Sequence, residues 1–504
     1  MMSMFTTESV IGVIGAGTMG AGIAQVAANA GHPVLLFDAA EGAAARGREG
    51  VDKGLQKLVA RGKMKAEDVE ALMSRIQVIE SLEDMAPAAL VIEAIVERLD
   101  VKQSVFGQLE DICSEQTVLA TNTSSISVTA IGSTLKRPQN LVGMHFFNPA
   151  PIMKLVEVIS GLDTKAEIAS AIYDLSVSWG KKPVHAKSTP GFIVNRVARP
   201  FYAEGFRIFQ EGGADNATID AVIREAGGFR MGPFELTDLI GHDVNYAVTS
   251  SVFAAYYNDQ RFLPSLIQLE LVNAGHFGRK TGKGFYDYSE GAEKPVPQTA
   301  EAAAKPSSVT IEGDLGVAEP LVAQFEAAGI EVIRTEGDGR IQVGDATLML
   351  TNGQFSTVRA AEISNRNLIH FDLALDYAQA TRIALAPADK ADTKAVELAV
   401  GLFQAAGKAV SIIDDIPGMI VMRTLAMLAN EGFDAVNQQV CNEEAVDIAM
   451  QGGVNYPRGP INWATEVGLS RILNVLRNLG ASYGEDRYRP SPLLLRKVAG
   501  GRQA

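Results

Sequence analysis

Two polar residues stand in apolar sequence that has no evident structural use for them. In GMHFFNPAPIMKLVEVI (Gly143 to Ile159), Glu157 lies between Val156 and Val158, inside a β-branched run from Ile152 to Ile159 that reads as a buried strand. A carboxylate in such a strand is costly unless paired. The nearest candidate partner is His145, on the preceding strand beyond the turn residues Asn148 and Pro149. A carboxylate that holds an imidazole fixes its tautomer and raises its basicity, which makes a general base for an alcohol proton. By itself His145 reads more readily as a satisfied core histidine than as a catalytic one. A nucleotide motif upstream tips the balance towards catalysis.

That motif opens the chain. VIGVIGAGTMGAGIAQVAANAGHPVLLFD begins with a strand from Val10 to Ile14, turns at Gly15, and continues as an Ala-rich helix to about Ala30 before a second strand that ends at Asp38. Gly15, Gly17, Thr18, Met19 and Gly20 lie within a GxGxxG pattern. One glycine makes the turn, one lets the backbone approach a pyrophosphate, and one lets helix and strand pack closely. The helix N-terminus offers free N–H groups and partial positive charge to that pyrophosphate. Asp38 follows Gly20 by 18 residues, where a carboxylate accepts the ribose hydroxyls and repels a 2′-phosphate, so NAD is favoured over NADP. The bland alternative is a glycine-rich turn in an α/β fold that binds nothing.

These residues need a sheet to position them. ALVIEAIVERLDVK (Ala89 to Lys102) and TVLATNTSSIS (Thr117 to Ser127) each read as a buried strand leading towards a helix, which continues a parallel, doubly wound sheet. Glu97, Lys102, Asn122 and Ser124 then fall at strand ends, on the side where such sheets bind ligands. Taken singly, each also reads as a cap or a solvated surface residue. The fold class expected is α/β: a Rossmann-type sheet followed by an all-helical domain, then a degenerate copy of each.

Composition sets limits. A net charge of −14 argues against nucleic acid or an anionic membrane as the main partner, because both call for a basic surface. Hydrophobic content of 47% with 21% charged residues is ordinary for a soluble globular protein, and no apolar run reaches transmembrane length. MMSMFTTES has no basic n-region, so no signal peptide is expected. Cys113 and Cys441 lie far apart without metal-ligand spacing, so neither a disulfide framework nor a metal site is expected, and a reducing cytoplasm fits.

Several long motifs, in order, resemble the L-3-hydroxyacyl-CoA dehydrogenase family: HFFNPAPIMKLVEVI, then STPGFIVNR, GPFELTDLIG and GRKTGKGFYDY, spanning Val10 to Tyr288 with the glycine motif. The resemblance implies that His145 is the catalytic base, Glu157 its orienting partner, and Ser124 and Asn195 the groups that hold the substrate oxygen. It implies cofactor contacts from Asp38, Glu97, Lys102, Ser124 and Asn148, with Lys280 in GRKTG a further candidate. The family passes hydride between the 3-hydroxyl of an acyl-CoA and NAD. The length and the two helical units resemble members that act on 3-hydroxyadipyl-CoA in phenylacetate breakdown, with 3-hydroxybutyryl-CoA the competing substrate. Lys57 and Arg61, on a basic helical stretch, are candidates for CoA phosphates, although such a helix face is commonly just solvated. Rival readings are a regulatory or assembly protein derived from such an enzyme, and a dehydrogenase of free hydroxy acids. The set Ser124, His145, Glu157 and Asn195 argues against the first.

The chain also repeats itself. STPGFIVNR (Ser188 to Arg196) returns as DIPGMIVMR (Asp415 to Arg423), and at the same shift of 227 Glu204/Glu431, Asp220/Asp447, Pro233/Pro460 and Gly241/Gly468 coincide without a gap. The helices VARPFYAEGFRIFQ and LAMLANEGFDAVNQQV read as amphipathic. Further back, SVTIEGDLGVAEPLVAQFEAAGIEVIR repeats strand, turn, helix and strand but lacks GxGxxG, with Asp314 set to repel phosphate. By pattern, His370 echoes His145, Arg382 stands where Glu157 would be, and Met422 replaces Asn195. The second half therefore reads as a scaffold, and the two helical copies as a homodimer element or an internal pseudo-dimer. The expected boundaries are an NAD-binding domain at 1–187, a helical domain at 188–290, a linker at 291–307, a degenerate Rossmann-like domain at 308–412, a second helical domain at 413–498, and a tail at 499–504.

Overall fold

The computed structural model describes residues 4–501, and residues 502–504 of the expected tail lie outside the described residues. The chain forms two compact units. One comprises the chain up to Arg196 together with Gln438–Val454; the other comprises Val197–Asn437 and the chain from Asn455 on.

The first unit is built on eight strands: β1 (Ile11–Ile14), β2 (Val34–Phe37), β3 (Ile76–Val78), β4 (Leu90–Glu93), β5 (Val118–Thr121), β6 (Leu141–Phe146), β7 (Leu155–Ser160) and β8 (Lys182–Lys187). Their order is β3-β2-β1-β4-β5-β6-β7-β8, parallel throughout except for the antiparallel pair β6/β7. The first six follow the dinucleotide-binding order. β1, β4 and β5 are buried at every position, as strands covered by helices on both faces must be. From these strands Ile11, Val13, Leu90, Ile92 and Val118 join Ile23, Ala24 and Ala27 of the helix Thr18–Asn29 in one core.

The second unit carries a reduced sheet of seven strands: β9 (Ser308–Glu312), β10 (Glu331–Thr335), β11 (Arg340–Val343), β12 (Ala346–Leu350), β13 (Leu368–Phe371), β14 (Arg382–Pro387) and β15 (Ala409–Ile412), in the order β10-β9-β11-β12-β13-β14-β15. β11 occupies the place that β4 holds in the first sheet, but it runs antiparallel to both neighbours. A hairpin through Gly344 joins it directly to β12, whereas the parallel pair β4/β5 needs the crossover helix Leu99–Ile112. Deleting that crossover deletes the segment that carries Glu97 and Lys102 in the first half. Before β9 the stretch expected as a linker is extended and tied down, with Ala300 N–H donating to Val410 O and Ala303 N–H to Gln404 Oε1.

Helices of both repeat copies fill the rest of the second unit. Val421–Asn437 does not present the single apolar face its periodicity predicts: Val421 to Ala435 is buried throughout. Arg199–Gln210, Pro460–Val467, Leu469–Tyr483 and Pro492–Ala499 all pack against it, so its polar groups need internal partners. Arg423 has Glu204 at 2.6 Å and Glu431 has Arg261 at 3.1 Å.

One helix of each copy packs against the sheet of the opposite half. Glu443–Val454, from the second copy, lies on β7 and β8 within the first unit, and its counterpart Asn216–Glu225 lies on β14 within the second.

Candidate active site

Gly15 has φ +93°, and a Cβ there would lie 2.4 Å from Ala94 O, so the turn after β1 admits only glycine. A Cβ at Gly17, by contrast, would meet no protein atom within 4 Å, which leaves its backbone open to a ligand. No side chain caps the helix Thr18–Asn29, so its first N–H groups face outward. Asp38 stands at the end of β2; its carboxylate accepts from Ala16 N–H at 2.8 Å and Ala40 N–H at 2.9 Å, which fixes it beside the glycine turn. A cleft of about 680 Å³ opens here, lined by Gly17, Thr18, Gln25, Asp38, Ala40 and Arg46. Open glycine, uncapped helix and fixed carboxylate fit the pyrophosphate and ribose of NAD. Sequence reading missed Gln25 and Arg46, which match no motif.

A second cluster sits at the ends of β4 and β5. Lys102 is buried, with Glu93 at 2.7 Å and Glu97 at 3.2 Å. Glu93, also missed, is fully buried; it accepts from Ile95 N–H and from the Thr121 hydroxyl as well. A carboxylate closing the apolar run Leu90–Glu93 was the available signal, the same one that marks Glu157. Glu97 Oε1 accepts from Thr123 Oγ1 at 2.7 Å and from the N–H groups of Ser124 and Ser125, both at 2.9 Å. Burial pushes the Glu97 carboxyl up, but Lys102 and these hydrogen bonds outweigh it and hold the group at about 2. Asn122 Oδ1 accepts Phe146 N–H at 2.8 Å, tying the end of β5 to β6. Asn148 is exposed in the turn after β6, at a cis peptide bond with Pro149.

His145 and Glu157 face each other as direct cross-strand partners of β6 and β7. His145 Nδ1 lies 2.6 Å from Glu157 Oε2; both residues are buried, and Glu157 completely so. Glu157 Oε1 accepts Ile193 N–H at 2.9 Å and Val194 N–H at 3.0 Å. The carboxylate thus satisfies the start of the segment that carries Asn195 while it holds the imidazole. Phe147 and Phe192 pack on the imidazole, with ring centroids at 4.5 and 5.9 Å. With Nδ1–H given to Glu157, Nε2 keeps its lone pair and is the basic nitrogen. Asn195 Nδ2 reaches Ser124 O at 3.4 Å, so those two residues adjoin. Lys57 and Arg61 are exposed at the C-terminal end of the helix Ala43–Ala60. Lys280 lies in the second unit and pairs with Asp243 at 2.5 Å.

The second half shifts the alignment that the sequence pattern gives. His370 pairs across the sheet with Ala386, and Asp372 N–H bonds to Ala384 O. At the constant shift of 227, His145 therefore corresponds to Asp372 and Glu157 to Ala384, while Arg382 corresponds to Leu155. The His370 echo is a two-residue slip, which sequence pattern tolerates because side chains two apart on a strand share a face. Asp372 accepts from Ile420, Val421 and Met422 N–H at 3.0, 2.7 and 3.1 Å. Among the described residues no group of His, Cys, Asp and Glu could hold a metal ion, and no helix is long and apolar enough to cross a membrane.

Comparison with known proteins adds names to these parts. The NAD binding domain of 3-hydroxyacyl-CoA dehydrogenase matches residues 10–189, and the C-terminal domain of the same family matches twice, at 191–288 and 418–503. The reduced Rossmann-fold domain of 3-hydroxybutyryl-CoA dehydrogenase matches residues 348–417. The 3-hydroxyadipyl-CoA dehydrogenase of Escherichia coli K12 is 44% identical over 98% of both chains. A 3-hydroxybutyryl-CoA dehydrogenase of Clostridioides difficile is 42% identical over 56% of this chain and 99% of its own. A crystal structure of 3-hydroxybutyryl-CoA dehydrogenase from Escherichia coli K12 superposes with a TM-score of 0.90 at 44% identity, covering 98% of this chain and 99% of that one.

Proposed function

The chain belongs to the 3-hydroxyacyl-CoA dehydrogenase family, and we propose that it oxidises the 3-hydroxyl of L-3-hydroxyadipyl-CoA to the 3-oxo thioester, with one working site in its first half. The observation that carries this reading is the His145–Glu157 pair at 2.6 Å, buried in an NAD-binding fold. His145 Nε2 takes the hydroxyl proton. Glu157 keeps the imidazole in the tautomer that can do so and stabilises the imidazolium that forms, its other oxygen being anchored on Ile193 and Val194 N–H. Ser124 and Asn195 adjoin, Asn195 Nδ2 donating to Ser124 O and the Ser124 hydroxyl to Glu97; with substrate bound, they turn these donors to its oxygen. Bound NAD supplies the hydride acceptor; Gly17, Asp38, Glu97 and Lys102 hold and orient it. Lys57 and Arg61, exposed and four residues apart, meet the CoA phosphates.

The adipyl assignment is supported by the named activity of the Escherichia coli relative that matches end to end. A second reading, 3-hydroxybutyryl-CoA, is favoured by the name carried by the superposing crystal structure. We read the two helical copies as an internal pseudo-dimer, supported by the helix that each copy lays on the sheet of the opposite half. NADH formation from L-3-hydroxyadipyl-CoA and L-3-hydroxybutyryl-CoA tests the function. We expect kcat/KM at least about tenfold higher for the adipyl thioester, a difference of about 1.4 kcal/mol in transition-state binding. A preference for the butyryl thioester would select the second reading, and silence on both would remove the dehydrogenase.

A further inference from the structure

The helix Glu443–Val454 belongs by sequence to the second repeat, yet it packs on β7 and β8 of the first unit. Its last turn contains Gly452 and Gly453. Gly453 is buried, and a Cβ built on it would lie 2.7 Å from Leu155 Cδ2, 3.1 Å from Val194 Cγ2 and 3.4 Å from Phe147 Cε1. Each of those three residues abuts the dyad by its own route. Phe147 packs against the His145 ring, tilted at 50° with centroids 4.5 Å apart. Val194 gives its N–H to Glu157 at 3.0 Å. Leu155 precedes Glu157 by two residues on β7 and so projects from the same face of the strand.

The corresponding contact in the other half is different. At the shift of 227, Gly453 corresponds to Ala226, Gly452 to Glu225 and Leu155 to Arg382. There Glu225 reaches Arg382 at 3.0 Å, and the position equivalent to Gly453 carries a methyl group. The position without a side chain lies beside the His–Glu pair, and its counterpart carries a methyl group where the pair has been lost. A general demand of the repeat for glycine does not explain this asymmetry.

We propose that Gly453 is a positioning residue for the dehydrogenase reaction: its missing side chain lets the donated helix clamp Phe147, Val194 and Leu155, and these hold His145 and Glu157 in register. The second repeat is then a wall of the active site and more than a passive scaffold. This rests on the reading of His145 as the base. A methyl group at 453 moves the clamp by a few tenths of an ångström or more, which shifts the imidazole relative to the substrate hydroxyl and leaves the NAD cleft alone.

The test compares wild type with Gly453→Ala, Gly453→Ala/Leu155→Ala and Ala226→Gly, measuring kcat, KM for NAD, NADH binding by fluorescence, and thermal midpoint. We expect Gly453→Ala to lower kcat roughly tenfold to a hundredfold, as misplacement of a reacting group does, with KM for NAD and NADH affinity unchanged. Truncating Leu155 removes the tightest clash but also one of the three clamped side chains, so the double variant recovers part of the lost kcat; Ala226→Gly behaves as wild type. Wild-type kcat in a folded Gly453→Ala protein overturns the proposal. So does a loss of NADH binding that parallels the loss of kcat, or a double variant that regains its thermal midpoint but none of its kcat. If Gly453→Ala does not fold, the double variant decides: recovery of both midpoint and kcat upholds the proposal, and a regained midpoint with kcat still lost overturns it. A direct readout separates this proposal from the functional reading: the low-field imidazole proton of His145, identified by its loss in His145→Gln. It shifts in Gly453→Ala but not in Ala226→Gly, while the proton shared by His242 and Asp238 at 2.6 Å stays put as a reference. If wild type is silent on every thioester, the functional reading falls, and this resonance still reports whether Gly453 sets the dyad.

Discussion

At matching points of the two sheets, His145 faces Glu157 and Asp372 faces Ala384. In both halves a buried carboxylate accepts the N–H groups that open the next helical segment: Ile193 and Val194 in the first, Ile420, Val421 and Met422 in the second. The carboxylate has moved from one strand to its neighbour. What persists is the demand that buried backbone donors be satisfied; what is lost is the imidazole, which folding does not need. Glu157 therefore has two duties and Asp372 only one. The cofactor side has diverged more abruptly, since replacing a parallel strand and its crossover helix by the hairpin β11/β12 removed the place of Glu97 and Lys102 altogether.

The largest expected contrast is between histidines. His145→Ala should lower kcat for NADH formation by roughly 10²–10⁴, the worth of a positioned base, whereas His370→Ala should leave kcat unchanged; the reverse result would make the second half the live one. The carboxylates come next. Glu157→Gln should cost on the order of 10² or more in kcat, because an amide N–H facing Nδ1 turns the imidazole to the wrong tautomer. Asp372→Asn should spare kcat and lower the denaturation midpoint in urea, a loss of about 1–3 kcal/mol for an imperfectly matched buried site.

Lys102→Ala leaves Glu93 buried without its counter-charge, which should cost about 3–5 kcal/mol of stability and weaken NADH binding measured by fluorescence titration. No residue of the hairpin β11/β12 should affect NADH binding at all. The smallest contrast is in acid. The Glu97 carboxyl, held at about 2, lies below its unfolded value, so its contribution is present above about pH 4.3 and fades as pH falls towards 2. Burial, aided by the nearby Arg359, pushes the His370 imidazole down to about 3. The unfolded chain takes up that proton first, so stability is lost as pH falls from about 6.5 to about 3. Glu97→Gln should flatten the lower part of the acid-denaturation curve and His370→Leu the upper part.

Much of the site was legible because it breaks local rules. Glycines at fixed spacing, a carboxylate in a β-branched strand and an acid at a strand end are each costly without a function, and all three led to residues that the structure clusters. Glu93 carried the same signal as Glu157. The alignment of His370 with His145 failed because a two-residue slip preserves the alternation of a strand, so only the cross-strand register could correct it.

The sequence by itself determined the nucleotide-binding half, its His–Glu pair and the existence of a repeat, because local propensity and spacing encode turns, strands and their exceptions. Only the tertiary structure decided that Lys102 is buried between two carboxylates and that Asp372 inherits the anchoring duty of Glu157. It alone placed Gly453 against Leu155. These are contacts between segments dozens to hundreds of residues apart, set by which surfaces meet when apolar faces are buried, and no local pattern in the chain records them.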